Sequence, residues 1–256
     1  MRDITLLEML KKGVHFGHRE SRWHPKMRPF VYTVRQGIHI INLEKTAEHL
    51  RLAYDFLKDQ ASQGKVILFV GTKRQAQKLI VNAAERVGMP YVTERWLGGT
   101  LTNFVTISKL IKKLKEYRKA KESGDLDKYT KKEKLKFEKE SEKLERLIGG
   151  IENLGKLPDV VFIADIKQDN IVVQEARKMN IPRVAIIDSN ANPELVDYPI
   201  PANDDAVMSL EFLITLMVEA IEEGQKHVIT EKKKEEAAAA ESKEEEKKSS
   251  VAESKK

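Results

Sequence analysis

Short apolar runs set the rhythm of this chain. Val66-Ile-Leu-Phe-Val70 is apolar throughout and stops at Gly71; Val160-Val-Phe-Ile-Ala164 follows Asp159, and Val184-Ala-Ile-Ile187 follows Arg183. A helical pattern over 74–87 succeeds the first run, one over 168–179 the second, and a last one spans 205–223. Runs that are apolar on both faces and alternate with helices predict a parallel sheet covered on both sides, a doubly wound α/β domain. Pro90-Tyr91-Val92 and Pro199-Ile200-Pro201 are weaker strand candidates. Nearer the start, Phe30–Val34 and Ile38–Ile41 flank Arg35-Gln36-Gly37, which predicts an N-terminal β-hairpin.

Two segments break this rhythm. Ile107, Leu110, Ile111, Leu114 and Tyr117 recur at spacings of three and four on a Lys-rich background, the mark of an amphipathic helix. Ser123-Gly124-Asp125-Leu126-Asp127 is a turn signal. Beyond it Phe137, Leu144 and Ile151 repeat every seven residues, so the pair predicts an inserted antiparallel coiled-coil hairpin. At 1.5 Å per residue its first helix would reach roughly 30 Å, and so charged an arm is expected to project. Residues 226–256 are built almost wholly from Lys, Glu, Ala and Ser without an aromatic residue, which predicts a disordered charged tail. The expected organisation is an α/β domain from 1–101 and 151–225, the arm over 102–150, and the tail over 226–256.

Composition sharpens this picture. Apolar residues make up 41% and charged residues 34%, against a usual charged share of about 25%: a core wrapped in an unusually charged surface. Cysteine is absent, which excludes a disulfide scaffold, thiolate metal sites and cysteine catalysis. No apolar run approaches the ~20 residues that span a bilayer, and the start is too charged for a signal peptide, so a soluble, intracellular protein is expected. The net charge of +6 conceals a split. Residues 1–104 hold 17 Lys and Arg against 9 Asp and Glu, and residues 105–147 hold 15 against 9. Residues 148–224 reverse this, 5 against 14. Such a bipolar chain suits one side turned toward a polyanion and the other toward a basic or metal-containing partner.

The functional crevice of an open parallel sheet lies at the carboxyl ends of its strands. Gly71-Thr72-Lys73-Arg74 falls there, where a helix start favours phosphate. It lacks the spacing of a mononucleotide P-loop, and a tight turn, RNA phosphate contact and a small phosphate ligand all remain open. Arg95-Trp96-Leu97-Gly98-Gly99 offers charge, an aromatic surface and bare backbone, with Trp96 expected to pack and Arg95 to be exposed; Thr100 or Thr102 could cap the arm. His15, His18, Arg22, Trp23, His24, Lys26 and Arg28 interleave basic, aromatic and imidazole groups without periodicity, a composition suited to RNA. Three of these are histidines, but without a clear fourth ligand a zinc set is the weaker reading. Asp165 and Asp188 end neighbouring strands and Asp204-Asp205 follow the last. They could cap helices, hold a divalent ion with a histidine, or receive a partner's basic group. Asn192 or Ser189 could cap a short turn. No nucleophile–base pair is readable, although an enzyme holding phosphate at Lys73 and Arg95, or a coiled-coil adaptor, would share this architecture.

Several motifs in order, His15-Phe-Gly-His18, Arg22-Trp-His-Pro-Lys-Met27, Arg35-Gln-Gly-Ile-His-Ile-Ile41, Phe69-Val-Gly-Thr-Lys73, Arg95-Trp-Leu-Gly-Gly-Thr-Leu-Thr-Asn-Phe104, Ile181-Pro182 and Pro201-Ala-Asn-Asp-Asp205, resemble the bacterial small-subunit ribosomal protein S-two family from about residue 4 to 223. The resemblance implies a flavodoxin-like domain with a protruding coiled-coil arm, cytoplasmic and ribosomal, monomeric within the particle and non-enzymatic. It implies binding to small-subunit rRNA, contact with neighbouring proteins and help in docking ribosomal protein S-one, with no cofactor beyond a divalent ion such as zinc. On this reading His15, His18, Arg22, Trp23, Lys26, Arg28, Arg35, Lys73, Arg74, Arg95 and Asn103 are the rRNA candidates, and Asp188, Asp204, Asp205 and His24 the candidates for a protein partner or metal. Asp188-Ser189-Asn190 stands where Asp-Thr-Asn is usual, and Gln168-Asp169-Asn170 where a Lys-Glu-His-like triplet is common; Ser keeps the hydroxyl and Asp the charge.

Overall fold

The computed structural model describes residues 4–123 and 130–226; most of the expected turn at 123–127, and the expected tail beyond Lys226, lie outside the described residues. The chain opens with α1 (Leu6–Lys11), capped by the Thr5 hydroxyl, which accepts the Glu8 amide at 3.2 Å. The strands β1 (Phe16–Arg19), β2 (Val31–Arg35) and β3 (Ile38–Ile41) form an antiparallel sheet in the order β1-β3-β2. Gln36 and Gly37 join β2 to β3 at φ of 52° and 72°, the left-handed pair that matches the twist of two adjoining antiparallel strands.

Next come α2 (Leu43–Ser62), β4 (Ile67–Val70), α3 (Arg74–Val87) and β5 (Tyr91–Val92), then the inserted helices α4 (Phe104–Glu122) and α5 (Lys131–Ile148). The chain returns through β6 (Val160–Ile163), α6 (Asn170–Lys178), β7 (Arg183–Ile187) and β8 (Tyr198–Pro201), and a helix over 207–226, α7, ends the described part. β4 to β8 make one parallel sheet in the order β5-β4-β6-β7-β8. Counted from its first strand this is 2-1-3-4-5, the flavodoxin-like order. Pro199 and Pro201 sit in β8, an edge strand, where a missing N–H costs no ladder bond on the open side.

The period of two along each strand divides the core. Ile67, Phe69, Phe162, Val184 and Ile186 face a layer built by α2, α3 and α7, with Leu57, Ile80 and Leu213 against them. Leu68, Val70, Val161, Ile163, Ala185 and Ile187 face the other way, onto Val172 and Ala176 of α6. The same second layer contains Ile107, Ile111 and Leu114 of α4 and Ile148 after it, all buried. The arm therefore does not simply project: its root is core, because the apolar stripe of α4 closes over sheet positions that α6 alone leaves uncovered. Farther out the contacts turn polar. Tyr117 meets Phe137 edge to face at 5.4 Å and donates to Glu140 at 2.9 Å, while Arg118 pairs with Glu145 and Glu152.

Two helix starts differ from expectation for a local reason. α6 begins at Asn170 rather than 168 because Asp165 takes the amides of Lys167 and Gln168 at 2.7 and 3.1 Å into a side-chain turn. α7 begins at 207 rather than 205 because Asn203, not Asp204 or Asp205, accepts the amides of Asp205 and Ala206. The arm's N-cap position is Asn103 rather than Thr100 or Thr102; Asn192 caps its short turn as expected, accepting from Glu194 at 3.1 Å.

The arm returns to the sheet past Gly150, where a Cβ would lie 2.3 Å from the Tyr91 carbonyl oxygen. Gly150→Ala is therefore expected to cost about 1–3 kcal/mol through overpacking, measured by urea unfolding. Unchanged stability would show that this contact relaxes freely.

Candidate functional site

Four strand ends bring titratable side chains together. Lys73, one residue before α3, places its Nζ 3.3 Å from Asp165, 2.8 Å from Asp204 and 2.7 Å from Asp205. Asp188, at the end of β7, is 1% exposed and accepts from both the amide and the hydroxyl of Ser189, the latter at 3.0 Å. His18 reaches into this cluster from β1, with Nδ1 3.0 Å from Asp188 and Nε2 3.4 Å from Asp205. Beside it Asp169 accepts the Thr72 amide and hydroxyl at 3.2 and 2.7 Å, fixing the turn after β4.

The electrostatics follow from four carboxylates served by two cations. Burial, helped by the charges of Asp165 and Asp188, pushes the Asp204 carboxyl up to about 7 against the pull of Lys73. Burial would likewise raise Asp205, but its bond to Lys73 and the charges around it hold it below the usual carboxylate range. The hydrogen bond to Asp188 raises His18 against its partial burial. Lys73 loses to desolvation but gains more from Asp204, Asp205 and Asp165, and stays well above its ordinary value. His18, Asp188 and Asp204 each offer one ligand atom within 4.8 Å of the others, a geometry that could hold a metal ion.

Lys73 and His18, both sequence candidates for RNA, thus turn inward. His15 is half-buried against Phe16, 4.0 Å between ring centroids, and burial lowers its pKa. Trp23 is half-buried and stacks on His39 at 5.4 Å. His24 neither joins the cluster nor meets another imidazole: its Nδ1 accepts the Lys26 amide and its own amide donates to the Ser189 carbonyl at 2.9 Å. The His18 amide donates to Ser189 Oγ at 2.7 Å, and a Cβ on Gly17 would lie 2.8 Å from the same oxygen. These contacts strap the N-terminal segment across the strand ends and leave its other charges outside. Arg22, Arg28 and Arg35 are exposed, as are Arg74 and Arg95, and none of the five enters an ion pair among the described residues. Lys26 is exposed but pairs with Glu194.

Sequence reasoning missed Glu175. This carboxylate, buried on α6, gathers the loop before the arm: Trp96 Nε1 donates to it at 3.1 Å, the Gly99 amide at 2.7 Å, the Leu101 amide at 2.9 Å, and the amide and hydroxyl of Thr102 at 3.2 and 3.3 Å. Burial alone would raise its pKa; the bonds from Gly99, Leu101, Trp96 and Thr102 together outweigh that and hold it below its usual value. The available signal was a charge on the apolar stripe Val172, Glu175, Ala176. With Trp96 buried beneath, Arg95 and Gly98 face solvent, and Asn103 is exposed at the head of α4, its Oδ1 accepting from Thr106 at 3.1 Å.

Fold and site define a class: a doubly wound α/β scaffold whose ionisable groups at the strand ends are spent on one another, and whose unpaired cations, arginines and lysines, lie on its outside. The chain belongs to a particular family of that class, Ribosomal protein S2, whose model matches residues 9–224. It is 49% identical over 226 residues to the small ribosomal subunit protein uS2 of Coprothermobacter proteolyticus, covering 88% of this chain and 84% of that one. It is 49% identical over 223 residues to that of Nitratiruptor sp. (87% and 84%) and 50% identical over 225 residues to that of Acidothermus cellulolyticus (88% and 82%). It is accordingly a structural, non-enzymatic component of the small ribosomal subunit, working on the ribosome in the cytoplasm. No helix among the described residues is long and apolar enough to cross a membrane.

Glu175→Gln is expected to cost about 2–3 kcal/mol at neutral pH, since it removes a charged acceptor from buried donors. Because the folded pKa lies below the ordinary 4.5, the contribution is complete above about 4.5 and fades as pH falls through the folded value. The stability gap between the two proteins, followed by denaturant unfolding, should close in that window; a gap unchanged at pH 3 would count against it.

Proposed function

We propose that the chain binds small-subunit rRNA through its N-terminal strap and arm, and offers its acidic side to protein partners, among them ribosomal protein S-one. The observation that carries this reading is the sorting of charge. Arg22, Arg28, Arg35, Arg74 and Arg95 are exposed and unpaired among the described residues, whereas Lys73 and His18 are neutralised inside. Guanidinium groups suit phosphate because their fork can bind two oxygens at once. His15, Trp23 and His18 then serve by holding the strap, Lys26 and Asn103 stand at its edge and at the arm's root, and the arm acts as an antiparallel coiled coil. Among the exposed carboxylates of the acidic half are Glu194, Asp197, Asp205 and Glu211, the first three paired with Lys26, Arg183 and Lys73, and it is to this half that we assign protein partners.

Arg22→Glu, Arg28→Glu and Arg35→Glu together should abolish incorporation into small subunits while leaving the melting temperature nearly unchanged, as exposed charges contribute little to folding. Binding of the wild-type chain to the rRNA should fall with salt at a log–log slope on the order of −0.7 to −0.9 per phosphate neutralised. A flat salt response would reject the reading.

A second reading rests on the three ligand atoms of His18, Asp188 and Asp204. One imidazole and two carboxylates form a donor set that suits zinc, and a cation there would offset the burial and the neighbouring carboxylates that raise Asp204. At 100 times its Kd, zinc should stabilise the chain by about 2.7 kcal/mol, read as a rise in melting temperature that His18→Gln removes. No rise in the wild-type protein would dismiss the site.

A further inference from the structure

The loop that Glu175 holds stands off from α5. Between them runs a groove of about 430 Å³, walled by Arg95, Leu97 and Gly98 on one side and by Lys143, Arg146 and Leu147 on the other. All three cations are exposed and enter no ion pair among the described residues, and Glu94 is the one acidic side chain on the rim. A Cβ at Gly98 would meet nothing within 4 Å, so the backbone there is open to a ligand.

α5 sorts its charges by face. Glu140 and Glu145 turn toward α4, where Lys113 and Tyr117 take the first and Arg118 the second. Lys132, Lys136, Lys139, Lys143 and Arg146 follow one another at alternating spacings of four and three, which keeps them on a single helix face. The first four line one shallow depression together with the exposed Leu135 and with Glu133 and Glu140. At 1.5 Å per residue, neighbouring members of this stripe lie roughly 5 Å apart along the axis. Glu140 offsets Lys136 in part, but most of the row consists of like charges that repel one another, a repulsion that a polyanion laid along it would relieve.

We propose that the groove and the stripe leading from it form one track for a single RNA strand, with a phosphodiester held by Arg95, Lys143 and Arg146 and the phosphates that follow lying along Lys139, Lys136 and Lys132. The track rests on the RNA reading above and adds a path to it. Leu97 and Leu147 give the groove an apolar floor for a sugar or base edge. Glu175 positions one wall, since it takes Trp96 Nε1 and the amides of Gly99, Leu101 and Thr102, on either side of which the loop also closes on itself through Thr100 and Asn103.

The test is filter binding of the full chain to transcribed small-subunit rRNA over a salt series. Arg95→Glu, Lys143→Glu and Arg146→Glu together should weaken binding by about tenfold or more and flatten the log–log salt slope by roughly 1, the share of the one phosphate they hold. Arg51→Glu with Lys78→Glu, exposed cations on α2 and α3, should change neither. Acetylation of the wild-type protein, which requires no variant to fold, should be blocked by RNA at Lys139 and Lys143 and not at Lys78. Unchanged affinity and slope in the triple variant, or lysines still modified in the complex, would overturn the track. Protection by poly-glutamate but not by RNA would make the groove a peptide site and overturn it as well. A wild-type chain without salt-dependent RNA affinity would instead overturn the parent reading, and the track with it.

Discussion

The carboxylate of Glu175 joins three parts of the molecule that the chain keeps far apart. It sits on α6, yet its hydrogen bonds all come from the loop between β5 and α4. That loop has no strand or helix of its own to satisfy its backbone amides, and a buried amide without an acceptor costs as much as a lost hydrogen bond. One ionised acceptor shared among these donors settles the account, and charge-assisted bonds are the stronger kind. The consequence reaches outward. Trp96 is pinned in the core, Arg95 and Gly98 are turned to solvent, and α4 starts at a fixed place and direction over the second face of the sheet.

A second constraint acts at the carboxyl ends of the strands. The doubly wound topology places Lys73, Asp165, Asp188 and Asp204 there, in a crevice that related architectures use for ligands. Here the crevice is closed by the protein itself. Ser189 receives the His18 amide, His24 donates to the carbonyl beside it, and the His18 ring pairs with Asp188. A site that could have held a phosphate becomes a fastening for the N-terminal strap, and the strap's arginines are displayed on the outside. A structural use of the fold agrees with the ribosomal family to which the chain belongs.

The legible and illegible parts divide along a physical line. The helix over 74–87 is observed as Arg74–Val87, and the apolar runs at 66–70, 160–164 and 183–187 are the central strands, because period and burial are written in local sequence. Buried Trp96 beside exposed Arg95 was equally readable. What local sequence did not show was partners distant in the chain. Lys73 looked like a phosphate ligand until three carboxylates from β6 and the turn after β8 surrounded it. Trp23 looked like a stacking surface for a base until His39 lay beneath it. Asp204 and Asp205 looked like caps, but Asn203, one residue earlier, had the geometry to accept those amides.

Sequence alone therefore determined the kinds of element, their order, the bipolar charge and the family, since each depends on residue types at fixed short spacings. Only the tertiary structure decided which charges are free. Whether a lysine is available to a polyanion depends on which carboxylates the topology brings within about 3–4 Å of it, and Coulomb energies of that size are set by distance and burial. The same holds for Glu175: an acid on an apolar helix face is an anomaly in the sequence, and it becomes the anchor of a loop and an arm only when the fold carries their amides to it.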